Sequence, residues 1–148
     1  MRVAVEEVHQ VTDELVDAAR RLLPQLSGRA TSLGPGDLSR ILDHQAITLL
    51  VARIDGAIAG MLTLVMFPLA TGLRARIEDV VVDEAARGQG VGTALTMAAV
   101  AIGQRRGAQS IDLTSRASRV AANRLYQRLG FERRDSNVYR YRPQPPAG

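Results

Sequence analysis

The sequence predicts a single mixed α/β domain built in three layers. Its 148 residues have the length of one domain, and 46% of them are hydrophobic, which is enough for a continuous core. Apolar residues alternate in some segments and recur at helical spacing in others. Two helical segments come early, three strand-like segments follow, and the second half alternates strand and helix. Because this order is not the strict alternation of a doubly wound sheet, we expect a mixed sheet.

The first third predicts one strand and two helices. Met1–Val8 alternates apolar and polar residues, as a half-buried strand does. Thr12 is followed by two acidic residues, which is typical of a helix N-terminus, and helical spacing continues until Pro24. We expect a loop at Ser27–Gly36 and a second short helix at Asp37–His44.

The middle of the chain predicts a meander of three strands. Ile47–Ile54 and Ala57–Phe67 are rich in residues that favour strands, and Asp55-Gly56 separates them. Asp-Gly between two apolar runs is the strongest short-range signal for a β-hairpin. A third apolar run, Ile77–Val82, follows as the next strand.

The second half predicts a further helix, a short strand, another helix and a closing strand, namely Thr93–Arg106, Ser110–Thr114, Ser118–Leu129 and Val138–Arg142. Gly107 and Gly130 stand where a helix C-terminus favours glycine. No linker divides the chain, so we expect one domain over residues 1–142. The proline-rich tail at residues 143–148 is expected to be disordered.

Composition excludes several classes of site. The chain has no cysteine, which excludes disulfides, cysteine-ligated zinc and thiol nucleophiles. All nineteen basic residues are arginine, so P-loop and Schiff-base lysines are excluded as well. Two histidines offer little for a metal centre, and we expect no metal.

The charge pattern and hydropathy also limit the partners. The net charge of +4 comes from scattered arginines, and aromatic residues make up only 3%, so we expect no nucleic acid. The longest apolar stretch, Ala57–Ala70, is interrupted by polar and helix-breaking residues and is shorter than a membrane span. The N-terminus lacks the apolar segment of a signal peptide. The expectation is a cytoplasmic protein without a membrane partner.

A glycine-rich turn before the predicted helix at Thr93 is the most informative segment. Gly88, Gly90 and Gly92 occupy alternate positions there. Glycines let backbone N–H groups point inward, and the helix start adds the positive end of its dipole, which together suit a pyrophosphate. The dinucleotide fingerprint would need its third glycine at Thr93 or Leu95, so that fingerprint is absent.

Three segments carry a resemblance to a known family. Arg87-x-x-Gly90-x-Gly92 is similar to the pyrophosphate loop of the GNAT acetyltransferase superfamily, and Ile77–Val82 resembles its fourth strand. Ala122–Phe131, with its Asn, Tyr and Gly-Phe, resembles the closing signature of that family. The resemblance implies a mixed, mostly antiparallel sheet with helices on both faces, and acetyl-CoA as co-substrate.

The resemblance also implies which residues bind acetyl-CoA. The cofactor would lie where the fourth and fifth strands separate at a β-bulge, with its pantetheine arm paired to the strand backbone. The pyrophosphate would rest on backbone N–H groups of the glycine-rich turn, and Asn123 would bond the pantetheine or the opposite strand. The residues so implied are Val80, Val81, Val82, Arg87, Gly88, Gln89, Gly90, Val91, Gly92, Thr93 and Asn123.

Amine acetylation needs a neutral amine, a stabilised oxyanion and a proton for the leaving thiolate. An alkyl amine titrates at about 10.4, so a base must help, and Glu78 is the candidate at the position where family members carry a glutamate. Its neighbour Asp79 points to the opposite face of a regular strand, and a bulge could exchange the two. Tyr126 matches the family acid, while a backbone N–H of Val80 or Val81 would meet the oxyanion. A surface carboxylate at position 78 and a packing role at 126 stay as alternatives.

Two similarities indicate different acyl acceptors. The predicted fourth strand is similar to that of glucosamine-phosphate acetyltransferases, whereas the closing helix is similar to that of protein N-terminal acetyltransferases. We expect direct attack in a ternary complex by a small-molecule amine. A protein N-terminus and a non-catalytic acyl-CoA sensor are the alternatives, and the resemblance allows a homodimer as well.

Overall fold

A computed structural model describes residues 2–28 and 32–146. In the described residues, the order of elements is β1 (Val3–Val8), α1 (Asp13–Ser27), α2 (Pro35–Asp43), β2 (Ile47–Ile54), β3 (Ala57–Leu69), β4 (Gly72–Val82), a short 3-10 turn (Glu84–Ala86), α3 (Val91–Arg105), β5 (Ser110–Asp112) and α4 (Val120–Arg128). The chain divides into two compact units. Met1–Arg116 holds the sheet and the first three helices, and Ala117–Gly148 holds α4.

Within the described ranges, the sheet has five strands in the order β1-β2-β3-β4-β5. The first three neighbouring pairs are antiparallel, and β5 joins β4 in parallel. At the predicted hairpin, Asp55 and Gly56 both adopt positive φ angles, 50° and 87°, which fit the twist of the flanking strands. The predicted α/β class with a mixed, mostly antiparallel sheet is therefore confirmed.

Helices cover both faces of this sheet, which gives three layers. On one face α1 and α2 bury a cluster with alternate residues of the strands: Leu15, Val16, Ala18, Ala19, Leu22, Leu38, Leu49, Val51, Ile58, Met61 and Val81. On the other face α3 packs against β3, where Val91 and Leu95 approach Gly60. No helix within the described ranges is long and apolar enough to cross a membrane.

Two predicted boundaries in the first unit were wrong. Helix α1 continues through Pro24 to Ser27, because Leu26 still packs against the buried cluster and Gly28, in the left-handed region, donates to the Pro24 carbonyl at 2.7 Å. Helix α2 begins at Pro35 rather than Asp37. A proline fits the first helical position, since its missing N–H would have no intrahelical partner there. Residues 29–31 of the predicted loop lie outside the described residues.

The later elements are shorter or shifted, and one is absent. Helix α3 begins at Val91, two residues earlier than predicted, while β5 and α4 are shorter than predicted. The predicted closing strand Val138–Arg142 was wrong, because residues 131–146 form neither helix nor strand. Tyr139 and Tyr141 are 87% and 85% exposed, and no strand pairing among the described residues includes this segment. Residues 143–146 are exposed, and 147–148 lie outside the described residues.

Candidate active site

Strand β4 contains a β-bulge at its centre. It pairs with β3 in one register up to Glu78 and in a register shifted by one residue from Val81 onward. Asp79 and Val80 therefore share the single opposing residue Leu62, and Asp79 has a φ of 50°. The bulge that the resemblance implied is present, and it lies directly after the candidate base.

The second half of β4 has an open edge. Strand β5 pairs with β4 at Arg74–Arg76, and among the described residues no strand pairs with Ile77–Val82 on that side. The N–H and C=O groups on this edge are free to bond a ligand that lies alongside as a further strand would. The fourth and fifth strands thus separate where the pantetheine arm was expected.

The hydrogen-bond pattern tells which backbone groups face the open edge. The N–H of Asp83 donates to the Ala59 carbonyl at 2.8 Å, so this opposing pair is hydrogen-bonded. Because such pairs alternate in an antiparallel ladder, Val81 bonds towards β3 and Val82 turns its N–H and C=O towards the open edge. Of the two predicted oxyanion donors, this geometry disfavours Val81 and leaves Val80, at the bulge.

Glu78 lies on the sheet face that α1 and α2 cover. It stands opposite Thr63, which in turn stands opposite Leu49 of the buried cluster. Its side chain is 44% exposed, and its Oε1 accepts from Nε of Arg76 at 2.8 Å. At the neighbouring Asp79, desolvation, followed by the negative charge of Glu78, raises the pKa of the carboxyl above its usual value. The bulge leaves Glu78 on its regular face.

The glycine-rich turn forms the start of α3. Gly88 and Gly90 adopt φ angles of 79° and 85°, and a Cβ at either position would meet no atom within 4 Å. The first N–H groups of the helix, those of Val91–Thr93, have no acceptor inside the helix, and the glycine N-cap offers no side chain. This is the open, donor-lined cradle that a pyrophosphate requires.

A close contact between α3 and β3 sets the position of the cradle. A Cβ on Gly60 would lie 2.7 Å from Cγ1 of Val91 and 3.0 Å from the Val81 carbonyl oxygen, so only glycine lets the helix start approach the sheet. The start of the cradle is thereby held beside the end of β4. Gly60 was not among the predicted site residues, because its only signal was a glycine inside an apolar strand.

A polar clamp joins α1 to the turn that leads into the cradle. Arg21 forms an ion pair with Asp83 and donates to the Ile58 carbonyl at 2.9 Å. Gln25 accepts from the N–H of Glu84 at 2.9 Å. The guanidinium balances one of the two acidic charges that precede the glycine-rich turn. The sequence could not reveal these pairs, because their partners are about 60 residues apart.

Three further polar side chains in the first unit differ in exposure and hydrogen bonding, and so in their ability to bind a ligand. Arg87 is exposed, whereas the side-chain amide of Gln89 bends back to the Ala85 carbonyl at 3.4 Å. Ser115, in the segment after β5, has a buried hydroxyl oxygen with no hydrogen-bond partner, the one such side-chain atom in the part of the chain described. An open strand edge, a donor-lined cradle and an orphaned hydroxyl are the groups that the amide and phosphate portions of acetyl-CoA would satisfy.

The second unit carries the two remaining candidates on α4. Asn123 and Tyr126 are three residues apart and share one helix face. Phe131 donates its N–H to the Tyr126 carbonyl and Gly130 donates to that of Gln127, which forms a Schellman motif. The rings of Tyr126 and Phe131 meet edge to face at 5.9 Å. The Gly-Phe signature thus ends the helix and holds the tyrosine ring, whose pKa burial raises against the opposing charge of Arg119.

Comparisons with known proteins agree with this architecture. A model of the acetyltransferase (GNAT) family matches residues 9–131. N-alpha-acetyltransferase 30 of Schizosaccharomyces pombe is 41% identical over 71 residues, which is 48% of this chain and 47% of that protein, so the match spans about half of each.

Two solved structures show the likeness of the whole fold. A transcriptional regulator from Bacillus halodurans C-125 is 28% identical, with a TM-score of 0.80 over 95% of this chain and 99% of that one. An aminoglycoside acetyltransferase from an uncultured soil metagenomic sample is 18% identical, with a TM-score of 0.84 over 97% of both chains. Since the family match covers most of the chain, this protein belongs to the acetyltransferase (GNAT) family of acyltransferases.

Proposed function

We propose that this protein transfers an acetyl group from acetyl-CoA to a primary amine by direct attack in a ternary complex. The observation that carries the proposal is the open edge of β4, with Glu78 at its start and the glycine cradle after its end. The pantetheine amides would bond Val82 and its neighbours along this edge. The pyrophosphate would accept from the N–H groups at the start of α3.

The chemistry assigns one role to each candidate. The amine nitrogen attacks the thioester carbonyl, and Glu78 takes the amine proton directly or through a water. The backbone N–H of Val80 stabilises the oxyanion until the C–S bond breaks. On the family match, Tyr126 donates a proton to the leaving thiolate. A phenol titrates at about 10, so the side chain carries its proton at neutral pH and can donate it. Burial raises this pKa further and makes the phenol a weaker acid, so the role rests on the family match.

The acceptor in the first candidate function is a small-molecule amine, and the protein acts in the cytoplasm. A protein N-terminal amine is the second candidate, and the 41% identity with N-alpha-acetyltransferase 30 over 71 residues favours it. Both candidates use the same cofactor site and the same base. The residues that would select between the two acceptors lie on surface loops. Proteins that share a fold differ most in such loops.

The test measures the release of CoA thiol with a chromogenic disulfide. Acetyl-CoA is offered with polyamines, amino acids, amino sugars, aminoglycosides and peptides with free N-termini. The protein contributes no thiol background, because it has no cysteine. The matched variant is Glu78→Gln, which keeps the size of the side chain and one acceptor oxygen for Arg76 and removes its basicity.

Release with one acceptor class, lost in Glu78→Gln, would support the proposal and identify the acceptor. Activity that persists in the variant would remove Glu78 as the base. Tight acetyl-CoA binding with no release for any acceptor would favour the non-catalytic sensor. Absence of both binding and release would refute the proposed function.

A further inference from the structure

The Arg76 guanidinium holds two groups at the point where β4 and β5 separate. Its Nε donates to Oε1 of Glu78 at 2.8 Å, and its Nη2 donates to Oγ1 of Thr114. Arg76 and Glu78 are alternate residues of one strand and therefore share a face of the sheet. Thr114 lies two residues beyond the end of β5. One planar side chain thus contacts both sides of the gap.

The strand register shows what this contact replaces. The last paired residues of the parallel ladder are Arg76 and Asp112. Continued for two residues, the same register would bring Glu78 beside Thr114. The backbone ladder stops before that point, and the Arg76 side chain connects the same two residues across the opening. The strands can therefore separate while Thr114 remains tied to β4.

We propose that Arg76 is a positioning residue for the reaction, which orients the Glu78 carboxylate and fixes the near end of the gap between β4 and β5. The inference rests on the proposed function, because Arg76 would act on the reaction only by orienting Glu78, the proposed base. Arg76 itself touches no reacting atom in this scheme. With Oε1 engaged by the guanidinium, Oε2 is the oxygen presented to the amine proton.

Arginine suits this task better than lysine would. Its planar fork holds donors at fixed angles, so two acceptors are fixed relative to each other, whereas an ammonium group is a single rotatable point. The pair is also partly exposed, with 38% of the Arg76 side chain and 44% of the Glu78 side chain accessible. Such pairs add little to folding stability, so variants at position 76 should fold.

The experiment compares Arg76→Met with Arg74→Met. Arg74 lies two residues earlier on the same face and pairs with Ser110 in the ladder, and none of the side-chain hydrogen bonds or ion pairs found among the described residues involves it. Arg76→Met should lower kcat about 10- to 100-fold, the cost of a misplaced reacting group, and leave the Kd for acetyl-CoA within about twofold. Arg74→Met should change neither. Arg76→Lys should lie between wild type and Arg76→Met. Equal kcat values for the two methionine variants would overturn the inference.

A double-mutant cycle separates positioning from a general structural effect. If Arg76 acts through Glu78, Arg76→Met should cost little further activity in the Glu78→Gln background. The same fold loss in both backgrounds would contradict the inference, as would full activity of Glu78→Gln alone.

A measurement without turnover tests the other side of the gap. Hydrogen exchange of the backbone at residues 113–115 should be faster in Arg76→Met and in Thr114→Val, and unchanged in Arg74→Met. Unchanged exchange in the first two variants would overturn the positioning role. If the wild-type protein acetylated no amine, the proposed function would be refuted. The hydrogen-exchange result would then show whether Arg76 holds Thr114 to β4.

Discussion

A single methyl group at Gly90 tests the phosphate cradle, and Gly107 provides the matched control. The two glycines stand at opposite ends of α3 with nearly equal φ angles, 85° and 84°, and a Cβ on either would meet no atom within 4 Å. Gly90→Ala and Gly107→Ala therefore impose the same backbone strain without a steric clash inside the protein. Only the first places a methyl group where the pyrophosphate would bind.

The expected magnitudes follow from these positions. A non-glycine residue in the left-handed region costs about 1–2 kcal/mol, which lowers the melting temperature of a chain this long by roughly 2–8 °C in both variants. Each hydrogen bond to an ionised phosphate is worth about 1.5–3 kcal/mol. Losing one weakens acetyl-CoA binding about 10- to 100-fold, and only in Gly90→Ala.

Titration calorimetry with acetyl-CoA measures the affinities, and thermal melts confirm that both variants are folded. Wild-type affinity in Gly90→Ala would refute the cradle. An equal loss in Gly107→Ala would assign the effect to strain in α3 rather than to the phosphate site.

Three further substitutions give distinct outcomes. Asp79→Asn should raise the melting temperature at pH 7, because the folded state raises the pKa of this carboxyl above the usual 3.8 and so disfavours its charge; asparagine also accepts the positive φ. The gain should vanish at about pH 3, where the aspartate is protonated in both states, and a lower melting temperature at pH 7 would contradict this account. Ser115→Ala should leave the free protein as stable as wild type and weaken acetyl-CoA binding several-fold in calorimetry, since its buried hydroxyl lacks a partner without ligand; unchanged affinity would exclude the contact. Tyr126→Phe should lower kcat about 100-fold at unchanged acetyl-CoA affinity, whereas parallel losses would assign the ring to packing.

Local signals in the sequence predicted local structure well. Asp55-Gly56 fixed its hairpin because the two residues adopt the positive φ angles that the turn demands. Thr12 began α1 as predicted, and its hydroxyl accepts from the N–H of Leu15 at 3.1 Å. The helix end at Pro24 was predicted wrongly, because propensity is local and the contact of Leu26 with the buried cluster is not.

Contacts between segments that are far apart along the chain could not be predicted from local sequence patterns. The clamp from Arg21 to Asp83 and the approach of Val91 to Gly60 depend on which elements lie side by side. The predicted closing strand failed for a related reason. Alternation of apolar residues shows that a segment could form a strand, but it does not show that another strand pairs with the segment.

The bulge in β4 shows how one extra residue creates several features of the site together. In a regular strand, residues 78 and 81 would point to opposite faces, because side chains alternate. With Asp79 and Val80 sharing one partner, Val81 joins the core beneath α1 and α2, on the same face as Glu78. Core burial therefore fixes the strand after the bulge. Beside it, β5 ends its pairing at Arg76, which leaves Glu78 at the start of an open edge that leads towards the cradle.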